Sequence, residues 1–103
     1  MFKNIKINSM LIFKLSSGEE LIGEVQEFDD ITLFIKRPLQ ITLVRDPQGK
    51  PAKSLMPFSM LAPEADFPFN KSLISACIEA GVEVSAAWRQ ETSGIILATQ
   101  LNG

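Results

Sequence analysis

The chain has 103 residues, 46% of them hydrophobic, with ten basic and twelve acidic side chains and a net charge of −2. This size fits one domain, and this apolar content argues against a disordered chain. The slight acidity argues against a protein that coats nucleic acid non-specifically, because such binding rests on neutralising phosphates; a local basic patch stays open. Cys77 stands alone, so no intrachain disulfide forms. Lys3, Lys6 and Lys14 interrupt the N-terminal region, which does not read as a signal peptide, and no stretch approaches membrane-spanning length. The expectation is a soluble, cytoplasmic protein with no membrane contact.

Residues 1–8 are mixed and predict no element. The segment 10–15 predicts a first strand with Leu11, Phe13 and Leu15 on one face. Ser17-Gly18 reads as a tight turn whose positive φ a glycine supplies. The segment 20–28 predicts a second strand with Leu21 and Val25 inward around Gly23. A glycine inside a strand marks a sharp bend or a close backbone approach. Another turn follows at Asp29-Asp30. In 31–44, Ile31, Leu33, Ile35, Leu39, Ile41 and Leu43 fall on odd positions, and Thr32, Lys36, Pro38, Gln40 and Thr42 on even ones. That alternation predicts one long strand. Drawn straight it would run about 45 Å, beyond the span of so small a domain, so it must bend. Pro38 is the expected place, at an edge or a bulge. A long bent strand facing a glycine-bent partner suggests a small barrel.

The segment 45–51 is a turn by composition, and 53–58 predicts a fourth strand limited by Pro57. The segment 61–70, with Pro63 and Pro68, reads as an irregular connection. In 71–80, Ile74, Ala76 and Ile78 alternate as in a strand, while Leu73, Ile74, Cys77 and Ile78 would line a helix. The strand is preferred because the barrel needs a fifth. The segment 82–93 predicts a short helix with Val84, Trp88, Glu91 and Ile95 on one face, Gly94 as its stop, and 95–101 as an apolar tail. The expected fold is mostly β: a single domain over 1–103, with a small, strongly bent five-stranded barrel over about 10–80 and a short C-terminal helix.

The spacing of Gly18 and Gly23, with Phe28-Asp29 following, resembles the first motif of the Sm-like family of LSm and Hfq type, which includes phage members. There an apolar strand ends in a glycine turn, a bent strand carries a second glycine, and an Asp opens the next loop. The resemblance covers the first half of the chain well and the rest loosely. It implies an SH3-type Sm-like barrel and a homo-oligomeric ring, pentamer to heptamer, in which 53–58 pairs with a neighbour's 71–80. It also implies single-stranded RNA binding in a uridine-type pocket built from two loops. Carried over residue by residue, Asp29 matches. The stacking position falls on Ile31, which offers no ring, and the Asn position falls on Leu33. The family's Arg-Gly pair falls near Met56-Pro57-Phe58, and neither residue is present there. The base-reading side chains are therefore not matched, which leaves contact with backbone phosphate around Lys36, Arg37 and Arg45. Apart from the resemblance, an open barrel leaves two unpaired edges that invite pairing with another chain.

Catalytic chemistry has little to draw on. The chain has no histidine, no Walker loop, no zinc-type spacing and no GxSxG elbow, so no catalytic residue, metal ligand or cofactor is assigned. Cys77 lies in an apolar context and reads as buried and inert. Asp29-Asp30 reads as a turn that caps nearby amides rather than a metal or acid–base pair. Glu19-Glu20, Glu79 and Glu83 read as solvated charge. Lys36, Arg37, Arg45, Lys50 and Lys53 can bind phosphate or merely form a solvated face. Phe58, Phe67, Phe69 and Trp88 read as packing rather than a stacking platform. Trp88 and the segment 95–97 are expected to bury surface on the protomer or its neighbour. The leading function is a ring-forming RNA-binding module that contacts phosphate, with tentative site residues Asp29, Ile31, Lys36, Arg37 and Arg45. The alternative is a protein-interaction or structural scaffold ring without RNA recognition. An enzyme is the least supported class.

Overall fold

The computed structural model describes the backbone of residues 1–102 and the side chains of residues 1–93. One antiparallel sheet holds six strands: β1 (Met10–Leu15), β2 (Glu20–Phe28), β3 (Thr32–Arg45), β4 (Pro51–Pro57), β5 (Phe67–Asn70) and β6 (Ile74–Glu79). One helix follows, α1 (Val82–Asn102). The order across the sheet is β4-β3-β2-β1-β6, with β5 also on β3. The first part of β3 pairs β5 and the later part pairs β4. The β1–β2 turn places Gly18 at φ +109°, as the turn chemistry predicts.

β3 bends where the sequence places its proline. Fourteen straight residues would span about 46 Å, more than the 43 Å longest dimension of the molecule. The β2–β3 register shifts between Ile22↔Leu39 and Glu24↔Lys36, so one extra residue sits on β3 at Arg37-Pro38. Arg37 adopts φ +41° there. A second shift, between Val25 and Glu27, puts the extra residue on β2. Gly23 lies opposite the first bulge. A Cβ at that position would overlap Ile35 Cγ2 and sit 3.2 Å from the Lys36 carbonyl, so the two strands approach as closely as they do only because the side chain is missing.

The bulge also reverses which way the strand faces. Leu33 and Ile35 join Leu11, Phe13, Leu21, Val25, Phe69 and Ile74 on the concave side. Leu39, two residues beyond the bulge, packs instead with Met10, Ile22 and Trp88 on the convex side, and Ile41 flanks them. The unbroken odd-number alternation of 31–44 thus serves two cores. α1 covers the convex core through Trp88, whose Nε1 donates to the Arg37 carbonyl at 3.0 Å. Phe58 N donates to the Pro38 carbonyl at 2.9 Å. Arg37 N donates to Asp66 Oδ1 at 3.3 Å. On the concave side Phe2 and Ile5 from the N-terminal segment pack on the core, and that segment is tied to Val25 by backbone bonds from Asn8 and to Ser9. Phe58, Phe67 and Phe69 meet edge-on or tilted, at centroid distances of 5.4–5.5 Å, and Phe69 also meets Phe13, so the packing reading of these rings holds.

Four expectations need correction. The sheet has six strands rather than five; among the described residues no ladder joins β4 or β5 to β6, so it stays open, as the edge argument expected. The extra strand, β5, lies inside the segment expected to be irregular. Pro68 is tolerated there because β5 pairs only with β3, so its other side has no ladder to complete. The segment 71–80 is not all strand, since Lys71–Leu73 forms a 3₁₀ turn before β6. Finally α1 does not stop at Gly94 but runs to Asn102. An interior glycine costs a helix only about 1 kcal/mol, which neighbouring turns offset. The expected burial of residues 95–97 lies outside the described side chains. No described helix is long and apolar enough to cross a membrane.

Gly23→Ala should destabilise the fold by about 3 kcal/mol, because the added methyl overlaps a side chain locked in the core. Trp88→Phe should cost about 1–3 kcal/mol, since it leaves the bulge carbonyl of Arg37 without its donor. Urea unfolding followed by circular dichroism measures both, with the slope unchanged.

Candidate nucleic-acid interface

At one end of the sheet two turns lie side by side: 29–31, between β2 and β3, and 70–73, between β5 and β6. Asp29 builds the first. Its Oδ1 accepts from Ile31 N at 2.9 Å and from Thr32 N at 2.7 Å, and its own N–H donates to the Thr32 carbonyl. This is a side chain closing a turn on its own backbone, not a metal or acid–base pair. The two amides hold its carboxyl below the ordinary value of 3.8, with Lys71 adding a smaller push the same way. Asn70 builds the second turn, accepting from Ser72 N at 2.9 Å. Lys71 N donates to the Ile31 carbonyl at 2.8 Å, and Thr32 is paired with Asn70, so the turns are locked together.

Four side chains, those of Phe28, Ile31, Lys71 and Leu73, give this end its chemistry. Ile31 is 65% exposed. The Lys71 ammonium sits over the ring of Phe2 at 5.2 Å and over that of Phe28 at 5.4 Å from the centroids. Both contacts are cation–π geometry. Phe28 keeps part of its ring in solvent. The end therefore combines one cation, one partly open aromatic face and two exposed aliphatics, Ile31 and Leu73.

The tentative site residues do not all meet here. Asp29 and Ile31 share the first turn. Lys36 pairs across the strands with Glu24 at 3.3 Å, which offsets its charge locally. Arg37 occupies the bulge in mid-β3, where its backbone rather than its side chain carries the bonds described above. Arg45 lies at the far end of β3, and its Nη1 donates to the Gly49 carbonyl at 2.7 Å within the β3–β4 hairpin. The second loop also falls elsewhere than expected. The 56–58 segment meets the bulge, through Phe58 and Pro38, while the segment against the Asp29 turn is Asn70–Leu73. Lys71 is thus the residue that sequence reasoning passed over. Its signal was faint: a lone lysine between an apolar pair and an alternating strand, attached to the site by a pairing 40 residues away in the chain (Ile31 to Lys71).

Cys77 is half-buried rather than fully buried, and burial raises its thiol above the ordinary value, which disfavours the reactive thiolate. Among the described residues no three His, Cys, Asp or Glu side chains converge to hold a metal ion. No protein-family model matches the chain, and no curated protein matches it.

The depressed Asp29 carboxyl gives a signed expectation. Its ionised form favours the folded turn above the unfolded-state value of 3.8, and that contribution is lost as pH falls through the lower folded value. The amide resonances of Ile31 and Thr32 should shift with one midpoint below 3.8 in an NMR acid titration, and Asp29→Asn should abolish that transition.

Proposed function

We propose that this protein is a ring-forming Sm-like oligomer that binds single-stranded RNA through backbone phosphate, without the family's base-reading residues. The observation that carries the reading is the lock between the Asp29 turn and the Asn70–Leu73 turn, which sets the Lys71 cation beside the partly exposed Phe28 ring. A phosphate needs a cation that its own fold leaves accessible, and a sugar or base needs an apolar face next to it. Among the described residues Lys71 makes no salt bridge, unlike Lys36 with Glu24, although the Asp29 carboxylate lies close enough to feel its charge. The motif glycines support the family reading physically: Gly18 takes the positive φ and Gly23 the close approach that a curled sheet of this kind requires. The strand order supports assembly, because β4 and β6 end the sheet and each has one edge free to pair with another copy.

A scaffold ring without RNA recognition is the second reading. It is favoured by Ile31 and Leu33, which stand where a stacking ring and an Asn would read a base, and by the net charge of −2.

Short oligo-U and oligo-A, titrated at about 50 mM salt and again at higher salt, separate the two. The RNA reading expects salt-dependent binding of both. Lys71→Ala should then weaken both equally and reduce the salt slope by about 1, while Lys36→Ala should change little. Absence of binding to either oligonucleotide would leave the scaffold. Native mass spectrometry of the protein should report a closed ring; a monomer at high concentration would remove the assembly claim.

A further inference from the structure

The N-terminal segment 1–9 forms neither strand nor helix, yet the fold brings one of its side chains to the candidate interface. Asn8 N donates to the Val25 carbonyl at 2.7 Å, and Val25 N donates to the Ser9 carbonyl at 2.9 Å, so the segment joins the sheet beside β2. Ser9 Oγ donates to the Lys6 carbonyl at 2.6 Å and closes a turn. Ahead of that turn Phe2 and Ile5 pack on the concave core. There the Phe2 ring meets the Lys71 ammonium at 5.2 Å, and the Phe28 ring meets the same ammonium at 5.4 Å. One cation thus lies against two rings.

Lys71 has a competing place to go. Its backbone is fixed, because its N–H donates to the Ile31 carbonyl at 2.8 Å, but its long flexible stem lets the ammonium swing. The Asp29 carboxylate lies near enough for Lys71 to help lower its carboxyl. An ammonium that closed on Asp29 would be offset by it, as Lys36 is by Glu24, and would offer a phosphate little net charge. Among the described residues no salt bridge joins Lys71 to Asp29; the rings hold the ammonium instead. At exposed positions a cation–π contact is worth about as much as an ion pair, so two rings outweigh one carboxylate. Phe28 alone would set one ring against one carboxylate, which makes the ring at position 2 decisive. We propose that Phe2 is a positioning residue, whose ring keeps the Lys71 ammonium off the Asp29 carboxylate and available to a ligand phosphate. This rests on the phosphate-contact reading of the site. It requires an aromatic face at position 2, not merely an apolar side chain.

Two measurements on the full-length protein test it, with far-ultraviolet circular dichroism confirming the fold of each variant. The first is the NMR acid titration of the Ile31 and Thr32 amides, which reports Asp29. Asp29 faces Lys71 across the paired turns and adjoins Asp30 in the chain. Phe2→Leu keeps an apolar side chain on the core but has no ring. It should lower the midpoint by about 0.3 pH unit as Lys71 closes on Asp29. Phe2→Tyr, which restores a ring, should recover the wild-type midpoint. In a Lys71→Met background Phe2→Leu should move nothing. The second is titration with oligo-U and oligo-A at about 50 mM salt. Phe2→Leu should weaken both about threefold, and Phe2→Tyr should rescue both. A midpoint that Phe2→Leu leaves unaltered, or shifts equally without Lys71, would overturn the proposal. Undiminished oligonucleotide affinity in Phe2→Leu would also overturn it while leaving the phosphate-contact reading in place. Wild-type protein that binds neither oligonucleotide would remove that reading and this proposal together.

Discussion

The fold depends on one extra residue in β3. At Arg37-Pro38 the strand takes a residue its partner lacks, the backbone turns through a positive φ, and everything downstream faces the other way. Such a conformation costs free energy for a non-glycine residue, so it persists only where surroundings fix it. Here they do so from three sides. Trp88 holds the Arg37 carbonyl, Phe58 holds the Pro38 carbonyl, and Asp66 accepts from the Arg37 amide. Opposite, Gly23 leaves out a side chain that would push the strands apart. Proline suits the position twice over: it has no amide to leave unpaired, and its ring is buried.

From that bulge come both cores. A sheet with one apolar face needs one covering layer, whereas this sheet changes phase and presents apolar side chains on both faces. The concave side is filled by its own curl and by Phe2 and Ile5 from the N-terminal segment. The convex side needs the helix, and Trp88 is the residue that attaches it. A helix is narrower than the face it lies on, which is why a groove lined by Ile12, Ile22, Ile41 and Leu55, but also by Glu20, Lys53 and Glu91, remains beside it. β4 and β6 end the sheet without joining, so among the described residues the outer sides of β4, β5 and β6 carry no ladder.

The electrostatics are local rather than global. With ten basic and twelve acidic residues the chain has no broad positive field to draw in a polyanion. What it has is a distribution of cations already engaged: Lys36 with Glu24, Arg45 with a hairpin carbonyl, Lys71 over two phenyl rings. The last differs in kind, because an aromatic face holds an ammonium without neutralising it. That charge lies beside the Asp29 turn, close enough to help lower the Asp29 carboxyl.

Local chemistry was legible in the residues themselves. Strand alternation, the Gly18 turn, the Asp46–Gly49 hairpin turn, the bend at Pro38 and the turn-capping role of Asp29 each follow from side-chain period or from a group bonding its own neighbourhood, and each is found. Strand β5 and the partnership of Lys71 with Ile31 were not legible, since both depend on pairing between segments far apart in the chain. The helix end shows the opposite limit: Gly94 has the residue type of a stop, yet α1 runs through it, because a glycine ends a helix only when the backbone adopts the capping conformation. The amino-acid order therefore determined that there would be bent, alternating strands and a Trp-bearing helix. Which face each half of β3 presents was decided only in three dimensions, because inserting one residue into a period of two inverts every side chain beyond it, and no local pattern records that inversion.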